Sequence, residues 1–207
     1  AKVPDRAFEV DFFNPTCSIG ALGVRSRSSA GMTVCPGRPQ GLWVWNADIL
    51  ESSSDVDIPN SAEPLRPIRI VGPANGLFSG KIHVGSPSGI SGLSASISDL
   101  RGSAGVIPAG SVSIRYGIPW GNDNAYFGRD TTWSPRPFYG GVADKPLPSY
   151  PPSGSIEGSF PGTVVPVWVS VKIPKEAGAG EYRGMVTVRA SGRSVEVPVE
   201  VRVLGWR

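Results

Sequence analysis

The chain has few of the residues that most often carry catalysis, with one histidine, His83, and two cysteines among its 207 residues. A Ser-His-Asp or Cys-His catalytic group could therefore be built only around His83. One histidine and two cysteines also match no standard structural zinc set. Because His83 stands between Ile82 and Val84 in an alternating segment, we expect an ordinary histidine that points outward or is half-buried, and not a catalytic base.

A long hydrophobic run and a continuous basic stripe are also missing. No run of 18 apolar residues occurs, so the sequence predicts no membrane span. The formal net charge is +3, but the basic residues are scattered along the chain. A protein that binds along the phosphate backbone of a nucleic acid needs a continuous cationic surface. We therefore expect no nucleic-acid partner. The first residues lack the apolar core of a secretory signal, so the protein is either cytosolic or has already lost a leader.

The two cysteines, Cys17 and Cys35, lie at the ends of a segment with hairpin-like spacing. A cross-strand disulfide is sterically possible at this spacing and would contribute on the order of 3 kcal/mol to stability. Two buried free thiols are the alternative, and the sequence leaves both open. The disulfide interpretation favours an exported protein, and we expect an extracellular or periplasmic location.

What the chain does contain is alternation of apolar and polar residues between turns, with 27 glycines and 21 prolines. Apolar residues occupy every second position in 167–173 and 182–188, and the pattern is clearest in the last strand. The valines that share one face there are Val195, Val197, Val199, Val201 and Val203. The pattern predicts an all-β fold, a mainly antiparallel β-sandwich of immunoglobulin-like or jelly-roll-like type, formed by 1–207 as a single domain.

Residues 117–162 break the regular strand spacing, and we interpret them as one long loop insertion. A compact domain rarely keeps so long an irregular segment without a use for it. Aromatic faces stack on sugar rings, while amide and carboxylate groups bond the hydroxyls, so this segment suits a carbohydrate platform. The alternative is that its aromatic side chains pack over an open edge of the sandwich or against a neighbouring domain. The candidate carbohydrate-binding residues are Trp120, Asn122, Asp123, Tyr126, Trp133 and Tyr139.

Other partial motifs do not indicate a cofactor or a catalytic centre. The segment 76–81 looks like a phosphate loop, but its glycine spacing is too short and it lies in a strand pattern with no following helix. Asp and Asn residues in two loops offer oxygen ligands for calcium, although turns use the same residues. The residues concerned are Asp55, Asp57 and Asn60 in one loop, and Asn122, Asp123, Asn124 and Asp130 in the other. We expect no cofactor, no bound metal and no catalytic carboxylate pair.

Three stretches carry a resemblance to a known family. They are GLFSGKIHV at 76–84, ISGLSASISDL at 90–100, and PVWVSVKIP at 166–174 followed by AGEYRG at 179–184. Their order resembles the N-terminal β-sandwich module that precedes the catalytic barrel in bacterial proteins similar to family 123 glycoside hydrolases, over roughly residues 66–206. In that family the paired acids belong to the barrel, so the resemblance implies a module without catalytic residues.

The residues and the resemblance together lead to one expected function. We expect a non-catalytic accessory module of an exported glycan-processing protein, acting in carbohydrate binding or in packing against a catalytic barrel. Its partners would be a glycan or a C-terminal catalytic barrel domain. The alternative is a stand-alone structural or adhesive surface protein without a sugar ligand. The sequence does not indicate the oligomeric state.

Overall fold

A computed structural model describes residues 40–50, 53, 57, 59, 63–119, 139–150 and 162–206. These residues form strands joined by turns, with a short 3-10 turn at Ala109–Ser111, and none of the described elements is a helix of the length and hydropathy that a membrane crossing needs. The strands are β1 (Trp43–Ala47), β2 (Ile68–Pro73), β3 (Leu77–Ser86), β4 (Ile90–Ser91), β5 (Ser94–Ile97), β6 (Leu100–Gly102), β7 (Gly105–Ile107), β8 (Val112–Pro119), β9 (Tyr139–Ala143), β10 (Ser149–Tyr150), β11 (Thr163–Lys172), β12 (Gly180–Ala190) and β13 (Arg193–Leu204).

Two sheets make up the sandwich. Sheet 1 has the strand order β1-β3-β11-β8-β9, and all of its pairs are antiparallel. Sheet 2 has the order β2-β13-β12-β6-β7, with β5 also pairing with β12. Its one parallel pair joins β13 to β2. Strands β4 and β10 form a small separate ribbon. The expected all-β, mainly antiparallel sandwich is therefore confirmed.

The core lies between the inner faces of the two sheets. Val167, Val169 and Val171 of sheet 1 are buried in one hydrophobic cluster with the valines of β12 and with Val197 to Val203 of β13. Burial of a valine side chain stabilises a fold by about 1.5–3 kcal/mol relative to exposure. The hydroxyl of Tyr116 on β8 also accepts a hydrogen bond from the amide of Ala95 on β5 at 2.7 Å, which links the two sheets directly.

The C-terminal strands form as their alternation predicts. Tyr182, Val186 and Val188 of β12 are buried, and in β13 the valines from Val197 to Val203 are buried while the residues between them are exposed or half-buried. The turn between the two strands has positive φ at Ser191 and Gly192. A period-two pattern with one apolar face is sufficient to place these strands, because a shift of one residue would turn every valine toward solvent.

The segment 92–100 alternates in the sequence, with Leu93, Ala95 and Ile97 on one parity, which predicts one strand, but the structure divides it between β5 and β6. Ile97 of β5 pairs with Val186, whereas Gly102 of β6 pairs with Tyr182, so the register slips by one residue between them. Such a bulge reverses the parity of the following side chains. Leu100 is therefore fully buried in the core, although it falls on the opposite parity from Ile97 in the sequence.

The interval 117–162 contains strands as well as irregular chain. β8 continues to Pro119, and β9 pairs with it antiparallel at the edge of sheet 1. Strand β10 lies in the same interval. The interpretation of 117–162 as irregular throughout is thus wrong for these strands, because cross-strand pairing orders segments that carry little alternation of their own. The assignment of 1–207 to one domain stays a prediction.

Substitution of Gly102 by alanine tests the close contact between β6 and β12. A methyl group on Gly102 would clash with the backbone carbonyl oxygen of Glu181. Because backbone on the paired strand cannot rotate away, we expect Gly102→Ala to lower the free energy of unfolding by about 1–3 kcal/mol. Urea denaturation measures this loss. Gly141→Ala is the matched control, since no described atom lies within 4 Å of the added methyl group, and an unchanged midpoint for both variants would contradict the packing described.

Candidate functional site

Strand β3 is buried on both of its faces over its second half. Ile82 and Val84 point into the core, while Lys81 and His83 lie on the outer face of sheet 1 and are equally inaccessible. Alternate residues of a strand point to opposite faces, so the burial of both sets means that this part of the outer face is covered. His83 has Trp45 of β1 directly opposite it.

Ser53 and Asp57 meet the outer face of β3 and complete a cluster there. The Nε2 atom of His83 lies 2.8 Å from Oγ of Ser53, and Nζ of Lys81 donates a hydrogen bond to the same oxygen at 3.3 Å. Oδ2 of Asp57 lies 3.7 Å from Nδ1 of His83. We call Ser53, Asp57, Lys81 and His83 the buried polar cluster, and their exposed fractions are 6%, 4%, 2% and 3% respectively.

Two indole rings border the buried polar cluster. Trp45 meets the imidazole of His83 edge to face, with ring centroids 5.3 Å apart and an interplanar angle of 86°. Nζ of Lys81 lies 5.4 Å from the ring centroid of Trp168, which stands opposite Lys81 on β11. This distance is in the range of cation–π attraction. The rings exclude water from the cluster and therefore strengthen the electrostatic interactions inside it.

The hydrogen bonds of Ser53 are compatible with both tautomers of the neutral His83 ring. The serine oxygen accepts from Lys81, and it has one proton to donate and a second lone pair with which to accept, so it can bond to Nε2 in either direction. Nδ1 makes no hydrogen bond within the described part of the chain, since 3.7 Å from the Asp57 oxygen is too long for one.

Burial keeps His83 neutral at physiological pH. Desolvation, with a smaller contribution from the positive charge of Lys81, lowers the pKa of His83 from 6.5 to about 3. A proton on His83 is therefore strongly disfavoured while the ring stays enclosed.

The cluster contains the residue types of a serine hydrolase, but its geometry does not suit catalysis. Oγ of Ser53 lies in a residue that is only 6% exposed, so a substrate cannot reach it. The lowered pKa of His83 makes the ring a weak base at neutral pH. At 3.7 Å, Oδ2 of Asp57 is also too far from Nδ1 for the hydrogen bond by which an aspartate orients a catalytic histidine. The arrangement supports a structural role, in which the cluster holds Ser53 and Asp57 against β3.

His83 lies on the outer face of sheet 1, but the expectation that it is exposed or half-buried there is wrong. The side chain is buried, because Ser53 and Asp57 cover a face that the strand pattern of β3 leaves open to solvent. Sequence reasoning also missed Ser53 and Lys81. The available signal was the polar pair Lys81 and His83 interleaved with the apolar Ile82 and Val84, but this signal does not show which distant residues contact the pair.

A cavity of about 340 Å³ adjoins the cluster where β1 ends. Lys81 lines it from β3, Arg69 lines it from β2, and Arg66 lines it from the chain just before β2. The side-chain amide of Asn46 fixes the backbone of Arg66 in one wall of the cavity. Its nitrogen donates to the carbonyl oxygen of Arg66, and its oxygen accepts from the N–H of Arg66, each at 2.8 Å. Arg66 pairs with Glu63 at 3.3 Å. The lining mixes polar and apolar residues, and Arg69 pairs with Glu200 at 3.2 Å.

The candidate carbohydrate-binding residues are not tested by the structure. Tyr139 begins β9, where its backbone pairs with Pro119. The other five candidates, the two cysteines, and all of the calcium candidates except Asp57 lie outside the described residues. Asp57 itself is buried beside His83. Among the described residues, no group of three or more His, Cys, Asp and Glu side chains is placed to hold a metal ion.

Comparisons with known proteins give a structural likeness. No protein-family model and no curated protein match the sequence. Among solved structures, the chain is similar to a family 123 glycoside hydrolase from Clostridium perfringens, studied for glycolipid glycan hydrolysis, with a TM-score of 0.55 and 18% sequence identity. The match covers 80% of this chain and 28% of the hydrolase, so this chain spans little more than a quarter of that protein. At this identity the likeness shows a shared fold.

A second solved structure has the same coverage of this chain with a weaker fit. The CooA pilin subunit from enterotoxigenic Escherichia coli has a TM-score of 0.36 and 12% identity, with 79% of this chain and 99% of the pilin covered. This likeness is too low to support an inference. The family 123 neighbour agrees with the resemblance seen in the sequence at the level of the fold.

Replacement of Lys81 by methionine tests the electrostatics of the cluster. The ammonium group of Lys81 lowers the pKa of His83, so Lys81→Met should raise this pKa while burial still holds it below 6.5. NMR titration of the ring measures the change without ambiguity, because His83 is the chain's only histidine. Lys172→Met, at an exposed position of β11, is the control. An unchanged pKa in Lys81→Met would show that the two side chains do not interact.

Proposed function

We propose that this chain is a non-catalytic β-sandwich accessory module of an exported, extracellular or periplasmic, glycan-processing protein. It acts by binding carbohydrate through the aromatic segment within 117–162 or by packing against a catalytic barrel. The observation that carries the proposal is the shared fold with a family 123 glycoside hydrolase of which the chain matches only 28%. Most of that hydrolase therefore lies outside the matched module.

The buried polar cluster supports the non-catalytic part of the proposal. It is the grouping in the described residues that most resembles a hydrolytic triad, yet its four side chains are closed to solvent. An enzyme needs its nucleophile within reach of a substrate and its base near the operating pH. Ser53 and His83 meet neither condition. The acids of the strongly alternating β13, Glu196 and Glu200, lie on its outward face, and Glu200 is paired with Arg69.

The carbohydrate-binding part of the proposal is supported by composition. Trp120, Tyr126 and Trp133 stand close to Asn122 and Asp123 in the sequence. Sugar sites combine flat apolar surfaces with a few polar groups that fix orientation. The same aromatic residues would also serve a packing role against a neighbouring domain, and experiment distinguishes the two.

An activity assay tests the non-catalytic assignment. The isolated chain should release no product from chromogenic glycosides or chromogenic esters above the buffer rate, because Ser53 and His83 are enclosed. The Ser53→Ala variant provides the matched control. Product release by the wild type that Ser53→Ala abolishes would contradict the proposal and identify Ser53 as a nucleophile.

A glycan array tests the carbohydrate platform. Trp120→Ala and Trp133→Ala should each weaken retention of a bound glycan by about two- to twelvefold at an unchanged melting temperature, since an aromatic stacking contact contributes about 0.5–1.5 kcal/mol. Trp206→Ala is the control, because Trp206 is 64% exposed and lies outside the segment. A lower melting temperature with no glycan effect would favour packing. A blank array for the wild type would favour the stand-alone adhesive alternative.

A further inference from the structure

Strand β3 has an open backbone edge over its first four residues. On one side, β11 pairs with all of β3 from Leu77 to Ser86. On the other side, β1 pairs only with 81–85. Among the described strands, none lies beside 77–80 on the side of β1. An unpaired strand edge presents a row of N–H and C=O groups with which another chain can pair.

The edge is open because the chain turns away from β3 as β1 ends. Just after Ala47, the carboxylate of Asp48 accepts a hydrogen bond from the amide of Leu50 at 2.8 Å. This Asx turn directs the backbone out of the sheet. Leu50 is 90% exposed, and the place beside Ser79 that a longer β1 would fill belongs to the cavity at the end of β1.

The hydrogen-bond phase of β3 shows which residues serve this edge. The amide of Ile173, which follows β11, donates to the carbonyl oxygen of Gly76 at 2.9 Å. Hydrogen-bonded and non-bonded positions alternate along an antiparallel pair, so the even-numbered residues of β3 bond to β11. Leu77 and Ser79 therefore direct their N–H and C=O groups toward the open edge.

The cavity of about 340 Å³ at this edge has a fixed shape on two sides. Strand β3 contributes 79–81 to its lining, the end of β1 contributes 46–49, and the chain that enters β2 contributes 66–69. The side chain of Asn46 bonds both backbone groups of Arg66, which holds the last of these segments beside the end of β1. A preformed site loses less free energy to ordering when a ligand binds.

Two guanidinium groups at the cavity favour a ligand with carboxylates. Arg66 pairs with Glu63 through Nη2, and Arg69 pairs with Glu200 through Nε. The two arginine side chains are 65% and 76% exposed, and exposed ion pairs contribute little to stability. Because a guanidinium group has five N–H donors, each arginine keeps donors for a second carboxylate.

We propose that the open edge of β3 binds an extended peptide segment that carries acidic side chains. The segment extends sheet 1 beyond the end of β1, exchanges backbone hydrogen bonds with Ser79 and Leu77, and directs its carboxylates to the two arginines. In such strand addition the main chain supplies affinity and alternate side chains supply specificity. Ile49 and Ile68, which also line the cavity, favour apolar residues between the acids.

The peptide site is independent of the proposed glycan site, because it uses no residue of 117–162. A segment of four to six residues covers less surface than a standard protein–protein interface, so its binding is weak and reversible. The site therefore suits a transient contact with an acidic, extended part of another protein.

Fluorescence anisotropy with a labelled hexapeptide that alternates valine with glutamate tests this binding. The wild-type chain should bind this probe at protein concentrations up to about 1 mM. A probe of the same length that alternates valine with lysine should bind at least about tenfold more weakly, because its cations face the two arginines. No binding of the valine–glutamate probe, or equal binding of both probes, would overturn the proposal.

Two substitutions of Ser79 separate its backbone from its side chain. Ser79→Pro removes the N–H that faces the open edge and leaves the bonds to β11, and edge strands tolerate proline at such positions. Ser79→Ala loses the same hydroxyl, which lies 2.7 Å from Oγ of Ser170, but keeps the N–H. Ser79→Pro should bind the probe at least about tenfold more weakly than Ser79→Ala. Equal affinities of these two variants would contradict strand addition.

Methylated probes keep the test valid if Ser79→Pro does not fold. In one probe the valine nitrogens are methylated, and in the other the glutamate nitrogens are. Only one of these two sets faces β3 in an added strand, so one probe should lose binding and the other should keep it. Similar binding by both methylated probes would show that no strand is added.

Hydrogen exchange resolved by NMR locates the bound probe. In the free protein the amides of Phe78 and Gly80 should exchange slowly, because they bond to β11, whereas that of Ser79 should exchange rapidly. The valine–glutamate probe should slow the exchange of Ser79. A bound probe that leaves the Ser79 amide unprotected would place the peptide elsewhere and refute the proposal.

Discussion

Burial of strand β3 on both faces is the constraint on which the rest of the molecule depends. Its inner residues Ile82 and Val84 form part of the valine-rich core, and its outer residues Lys81 and His83 lie beneath Ser53 and Asp57. A strand that is enclosed in this way cannot move without disturbing both sets of contacts, since protein interiors are close-packed. The strand therefore anchors β1 and β11 on either side and fixes the place of the polar cluster.

The two faces of β3 hold the structure by different physical means. The inner contacts are apolar and do not depend on pH. The outer contacts are polar, and their free energy depends on the protonation of one ring that is kept neutral by its surroundings. The same enclosure explains why a grouping of serine, histidine and aspartate in this fold is better suited to tethering than to hydrolysis, because a buried nucleophile has no access to substrate.

Particular elements show where sequence reasoning succeeds. The valines of β13 and the alternating residues of β11 are placed correctly, since a period of two with one apolar face admits a single register. The β5–β6 segment is placed less well. Ser98 bonds to Met185 through both its amide and its hydroxyl, and Asp99 accepts from the amide of Ala109. These contacts accompany the bulge between β5 and β6, which no local sequence pattern predicts.

The sequence by itself determined the all-β class, the alternating C-terminal strands and the turns that join them, because these features follow from local periodicity and turn chemistry. Tertiary structure decided the strand order, the parallel contact of β2 with β13, and the burial of His83. The physical reason is that a strand pattern specifies which residues share a face but not what covers that face. Ser53 reaches His83 across 30 residues of chain, and only the folded molecule brings them together.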